Sequence, residues 1–177
     1  MKYLLPVLLS LFLLTGCSDD SESPTTPSNP TPGPTPSDLP DAPSFNLDTD
    51  TGQSMSLSDY KGDVLVIFFF GNNCPPCKGA APKIESDLTQ KFKDKVDFSI
   101  IGIDQWDGNK SSVESFRNTT EVTFPLGLKG SGVAKDYGTT YDRLVIVDKE
   151  GKLAFVGKTQ STNDLDKVVT QVQSLLN

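Results

Sequence analysis

The chain predicts an α/β domain with a mixed central β-sheet flanked by helices on both faces, and three observations carry that expectation. Two continuous apolar runs, Asp63–Phe70 and Val96–Asp104, are each followed by a segment of helical character. Runs of that kind suit strands buried on both faces, as in sheets covered by helices. Arg143–Asp148 and Lys152–Val156 flank Lys149-Glu150-Gly151, a hairpin signal that adds antiparallel strands. Leu165, Val168, Val169, Val172, Leu175 and Leu176 follow the 3/4 spacing of one apolar helix face, which would close the domain.

The remaining elements follow in chain order. Phe45–Leu47 and the stretch around Ser54 read as a short β pair turned at Thr51-Gly52. Leu57–Gly62 reads as a single helical turn ended by glycine. A helix is expected from about Pro75 to Phe92, with Pro82 kinking it or starting a fresh segment. Lys110–Thr120 reads as a helix, Phe124–Leu128 as a short extended piece, and Ser131–Tyr137 as a short helix closed by Gly138. Ser161 and Asp164 have the spacing of a capping box for the last helix. Met55 and Phe68–Phe70 are expected in the core; Trp106, in the loop after a core strand, is expected to pack on the domain, as most tryptophans are largely buried, with a partner-facing aromatic as the alternative.

Before residue 41 the composition is different. Residues 1–16 have a positive start at Lys2 and an apolar stretch from Leu4 to Leu14, a targeting segment too short for a membrane span of about 20 residues. From Ser18 to Pro40, seven prolines alternate with small polar and acidic residues. This composition predicts a semi-extended tether over 17–40 that could reach up to about 70 Å, at ~3.1 Å per residue. The domain itself is expected over 41–177. Leu14-Thr15-Gly16-Cys17 resembles the lipobox of bacterial lipoproteins, which implies cleavage before Cys17 and lipidation of its thiol and new amino terminus. Such acylation supplies a stable membrane anchor. Ser18-Asp19-Asp20 resembles sorting signals that act in opposite senses in different lineages, so the choice of membrane stays open.

Bulk chemistry excludes several functions. A net charge of −7 argues against nucleic acid as a partner. The chain has no histidine, which removes Ser–His and Cys–His nucleophile pairs, His₃ metal sites and axial His ligation of haem. Acid–base work falls to carboxylates, lysines, tyrosines or thiols.

Cys74-Pro75-Pro76-Cys77, straight after an apolar strand, is the chemical centre of the sequence. Cysteines three apart at the first turn of a helix can close a small disulfide ring. There the unpaired N–H groups and the positive end of the helix dipole stabilise a thiolate on the first cysteine. That thiolate is the nucleophile of disulfide exchange. Proline is well placed at early helix positions, where its missing N–H has no helical partner. A zinc site would need more ligands than one CxxC and a distant third cysteine supply, and covalent haem attachment would need His where Lys78 stands. No metal and no cofactor is expected. A structural disulfide is the plainer alternative, but so short a loop constrains the unfolded chain little.

These residues, with Leu57–Gly62 before the first core strand, Pro82 downstream and Leu144–Leu153 late in the chain, resemble the thioredoxin superfamily. Within it they are most similar to the membrane-tethered thiol-disulfide oxidoreductases called TlpA- or ResA-like. The resemblance spans roughly residues 43–176. It implies a thioredoxin-like fold, with Cys74 as the exposed attacking cysteine and Cys77, more buried, resolving the mixed disulfide. Pro75 and Pro76 would tune the redox potential, and Pro82 would bend the active-site helix. The implied partners are cysteine-containing extracytoplasmic proteins and a membrane electron donor, at a lipid-anchored position in the cell envelope facing the periplasm or the exterior. With Pro-Pro between the cysteines, a reductase or isomerase is expected over an oxidase.

The chain departs from the family pattern at four places. Asn73 stands where an aromatic usually precedes the first cysteine, Phe68 where many members bury an acid, and Ala80 where cytochrome-maturation members carry Glu. Asp142 takes the place of the cis-proline opposite the CxxC. A cis bond before a non-proline costs about 2.5–4 kcal/mol, so a trans bond or a rearranged loop is expected. Tyr141, Asp142 and Arg143 would then border the thiols as a substrate loop, the acid disfavouring and the arginine favouring a Cys74 thiolate. Two alternative functions share the fold. A peroxiredoxin-like thiol peroxidase would want Thr at position 71, where glycine stands, and a non-catalytic binding module would keep the fold without turnover.

Overall fold

A computed structural model describes residues 39–177; the leader, Cys17 and the tether up to residue 38 lie outside the described residues. Asn46–Asp48 (β1) and Ser54–Ser56 (β2) form an antiparallel hairpin, turned at Gly52 with φ of +84°. Only glycine takes that backbone conformation at no steric cost. A 3₁₀ turn over Leu57–Tyr60 then leads into Val64–Phe70 (β3), in which every residue is buried.

The other strands are Phe98–Asp104 (β4), Leu126–Gly127 (β5), Arg143–Val147 (β6) and Leu153–Val156 (β7). They join β3 in a five-stranded sheet of order β5-β4-β3-β6-β7. β3, β4 and β5 run parallel, while β6 is antiparallel to β3 and to β7. The sheet is therefore mixed, as the sequence predicts. β4 begins two residues later than the expected Val96: β3 starts at Val64, whose partner is Phe98, so Val96 has no strand partner and is almost fully exposed.

Side chains of β3 alternate between two cores, because successive residues of a strand point to opposite faces. Val64, Val66, Phe68 and Phe70 pack with Cys74, Cys77, Phe116 and the closing helix. Leu65, Ile67 and Phe69 pack with Met55, Val145 and Tyr137 on the other face. Burial of each large apolar side chain contributes roughly 1.5–3 kcal/mol, so β3 is the main stabilising element of the domain.

Among the described residues four α-helices cover the sheet: Pro75–Ile84 (α1), Lys110–Thr120 (α2), Ser131–Asp136 (α3) and Ser161–Leu175 (α4). Pro82 lies inside α1, and past Ile84 the helix continues as a π-helical segment over Glu85–Gln90. The expected disturbance after the proline thus takes the form of a change of winding. The capping box expected at Ser161 and Asp164 is absent, since Gln160 is the N-cap and the Ser161 hydroxyl is engaged by Asp142, 19 residues earlier. Pro40–Ala42 complete the fold by pairing with the start of β7: Leu153 N–H donates to the Pro40 carbonyl and Ala42 N–H to that of Gly151. Lys152 Nζ also contacts Asp41 Oδ1 at 2.7 Å. A covered edge protects a terminal strand from pairing with another chain.

Candidate active site

β3 ends at Phe70 and delivers the chain to Gly71, Asn72 and Asn73 before Cys74. Cys74 is the N-cap of α1, extended at φ −79° and ψ 114°. Its carbonyl accepts the Lys78 N–H at 3.0 Å, the first helical bond, and its own N–H donates to the Gly71 carbonyl at 3.0 Å. Cys74 Sγ accepts the Cys77 N–H at 3.2 Å, so the sulfur takes the place of a capping oxygen. Pro75 and Pro76 occupy N1 and N2, where no N–H is missed. The two cysteines are joined as a disulfide across a Cα–Cα distance of 5.3 Å.

Cys77 is completely buried, as expected, but Cys74 is buried as well, with 1% of its surface exposed. This corrects the exposed first cysteine. The N-cap position draws its side chain down onto the first turn, and the disulfide joins it to the core residue Cys77. Phe68, at the position of the family's buried acid, stacks on Phe70 with ring centroids 5.9 Å apart, and Phe70 on Phe116 at 4.3 Å. The floor of the site is aromatic, so no carboxylate from position 68 reaches the thiols.

The loop opposite carries no cis bond among the described residues. Asp142 adopts a left-handed conformation at φ +57° instead. Its carboxylate is buried, with Oδ1 accepting the Ser161 hydroxyl at 2.5 Å, and its carbonyl accepts the Ser161 N–H and the Arg143 Nη1–H. Asp142 is thus turned inward and committed to α4, contrary to a substrate-facing role. The half-buried Arg143 is committed to the Asp142 carbonyl. Of the three loop residues only Tyr141 presents an exposed side chain.

Tyr141 meets Trp106 edge-on, with ring centroids 5.2 Å apart at 70°. Trp106 is 43% exposed and its ring lies over Gly71: a Cβ there would stand 2.5 Å from Cδ2 and Cε2. The indole therefore packs with one side on Gly71, three residues before Cys74, and faces solvent with the other. Lys78 Nζ donates to the Asn73 side chain at 3.2 Å, which leaves a cation beside the first helical turn. The role of Asp104 escaped sequence reasoning. Its carboxylate has no exposed surface and accepts the backbone and side-chain N–H groups of Asn72, both at 3.0 Å. Among the described residues no group of His, Cys, Asp and Glu is arranged to hold a metal ion.

A cysteine pair at the N-terminus of a helix, set at the end of the central strand of a thioredoxin-like sheet, defines a protein of the thiol-disulfide oxidoreductase class. The chain belongs to the AhpC/TSA family, whose model matches residues 40–156. It is 30% identical over 111 residues to thioredoxin-like protein YneN of Bacillus subtilis, covering 62% of this chain and 65% of that one. It is 29% identical over 126 residues to thiol-disulfide oxidoreductase ResA of Bacillus thuringiensis, covering 70% and 71%. A candidate protein disulfide isomerase of Bacteroides thetaiotaomicron, solved in solution, superposes with a TM-score of 0.70 at 31% identity, over 77% of this chain and 88% of that one. Peroxiredoxin Q of Suaeda salsa is 28% identical over 145 residues, covering 75% and 66%.

Proposed function

We propose that this protein is a lipid-anchored, extracytoplasmic thiol-disulfide oxidoreductase working through Cys74 and Cys77, as a reductase or isomerase of other proteins' disulfides. The placement of Cys74 Sγ at the N-cap of α1, accepting the Cys77 N–H while bonded to Cys77, carries the reading. In the reduced pair, the helix N-terminus stabilises a Cys74 thiolate. That thiolate attacks one sulfur of a substrate disulfide, forming a mixed disulfide and expelling the other sulfur as a thiolate, which takes up a proton. Cys77, deprotonated, then attacks Cys74 Sγ, reforming the internal disulfide and releasing the second substrate thiol. One substrate disulfide gains two electrons per cycle, and a dithiol or membrane electron donor must return them, since extracytoplasmic compartments are oxidising.

The substrates are cysteine-containing proteins of the cell envelope, and the anchor is the lipidated Cys17, with the domain facing the periplasm or the exterior. A net charge of −7 disfavours nucleic acid as a partner. Pro-Pro in the ring, without His, favours reduction or isomerisation over oxidation. The reduction potential of the pair tests direction. A value near or below about −250 mV supports a reductase, and one near −120 mV a dedicated oxidant. Absence of any exchange with a peptide disulfide would leave a binding module. The mass of the N-terminal peptide, with or without acyl chains on Cys17, tests the anchor.

Peroxidase activity is the second reading, favoured by the likeness to Peroxiredoxin Q. The geometry opposes it: a threonine at position 71 would drive its Cβ into the Trp106 ring. Peroxide consumption by the reduced protein, faster than by a free thiol, would reverse that ranking.

A further inference from the structure

The carboxylate of Asp104, the last residue of β4, accepts four N–H groups. Besides the two donors of Asn72, these are the backbone N–H groups of Trp106 at 3.2 Å and Gly108 at 2.6 Å. A carboxylate is acceptor-only and matches four donors. Buried and fully satisfied, such a network fixes its members strongly. The donors come from two separate loops, one just before Cys74 and one bearing Trp106. The second loop is held again at Asp107, whose carboxylate accepts the Ser131 N–H and hydroxyl. The loops also meet directly, because the Trp106 ring covers Gly71, whose carbonyl accepts the Cys74 N–H. Asp104 is therefore joined to Cys74 by two routes, through Asn72 and through Trp106 and Gly71.

We propose that Asp104 is a positioning residue that sets Cys74 against the exposed indole of Trp106 and thereby governs how well a polypeptide disulfide is engaged. This rests on the exchange reading given above. A polypeptide sulfur aligned with Cys74 brings its own chain past the aromatic pair Trp106–Tyr141, so the spacing of thiol and indole decides productive docking. Asparagine at 104 keeps the volume but offers one acceptor oxygen and turns an NH₂ group toward N–H donors.

Trp106 is the sole tryptophan of the sequence, so indole emission reports this loop alone. In the full-length protein, Asp104→Asn is expected to shift the emission maximum to the red and lower its anisotropy. It should raise KM for a peptide disulfide by about tenfold or more, with a smaller change in kcat. Asn72→Ala removes one donor and is expected to act in the same direction, more weakly. Gly108→Ala pushes on the network from outside, since its Cβ would stand 2.4 Å from Asn72 Nδ2 and 2.6 Å from Asp104 Oδ2. Wild-type emission and KM in Asp104→Asn would overturn the proposal. Should that variant not fold, the same result in both other variants would overturn it. A wild-type protein that exchanges no peptide disulfide would sink the exchange reading instead, and the positioning role would then be decided by emission and by the reduction potential of the pair.

Discussion

Ser161 donates its hydroxyl to Asp142 Oδ1 across 2.5 Å, joining the start of α4 to the bend that leads into β6. Asp142 stands where thioredoxin-like proteins place a cis-proline, and here its left-handed backbone and inward carboxylate do the work of fixing the loop. Proline, held near φ −65°, cannot adopt the +57° found at this position. Asp142→Pro is therefore expected to destabilise the protein by about 3 kcal/mol or more rather than restore the family pattern. Ser161→Ala, which leaves a buried carboxylate short of a donor, should cost roughly 2 kcal/mol. Urea unfolding of both variants measures this, and a stabilised Asp142→Pro would contradict the account.

The two cysteines are expected to behave differently when separated. Cys77→Ser keeps the N-cap thiol and loses the resolving one, so it should accumulate a mixed disulfide with a peptide substrate. Cys74→Ser should form none, because its remaining thiol lies inside α1, past the N-cap position at which the helix N-terminus stabilises a thiolate. Non-reducing gels and intact mass distinguish the outcomes. A trapped adduct on the Cys74→Ser variant would exchange the roles of the two residues.

Gly71 is required by Trp106. Gly71→Ala would place a methyl carbon 2.5 Å from the indole carbons, so the ring has to move or the strand end must shift. A red-shifted emission and a loss of about 1–3 kcal/mol are expected, in line with overpacking. Unchanged emission and stability would show that the ring is free to move aside at no cost.

Glu85, at the start of the π-helical segment, links it to the loop after α2. Burial pushes its carboxyl up, but hydrogen bonds from the Thr123 N–H, the Gln90 amide and the Thr123 hydroxyl outweigh this and hold it below the ordinary value. A depressed folded-state value contributes stability that is complete above the unfolded pKa and disappears as pH falls through the folded one. Glu85→Gln should thus be less stable than wild type near pH 7, by roughly 0.5 kcal/mol after screening of a partly exposed group. The difference should fade as the pH drops below the ordinary glutamate range. A gap that persists into acid would assign the effect to packing.

Local signals carried most of the fold. The helix over Lys110–Thr120 has the bounds that its pattern predicts, and the all-apolar β3 announces its central place in the sheet. The CxxC and its two prolines were equally plain, because their meaning lies in four consecutive residues. What remained hidden depends on partners distant in sequence. Asp104 looks like an ordinary strand-ending acid until Asn72, 32 residues earlier, is seen beside it. Ser161 has the spacing of a cap, yet its hydroxyl is claimed from across the domain by Asp142. The burial of Cys74 likewise follows from how its side chain turns onto α1, which no spacing reveals.

The pairing of Pro40–Ala42 with the β6–β7 hairpin has a mechanical consequence. β6 runs antiparallel to β3, with Arg143 opposite Phe69 and Val147 opposite Leu65, so the hairpin turn and the cysteine ring occupy opposite poles of the sheet. About 20 Å of strand separates them. The described chain thus enters the domain at the pole opposite the two sulfurs. A pull on the chain at Pro40 would load the Asp41–Lys152 junction and the β6–β7 hairpin first, at the end of the sheet remote from the cysteine ring.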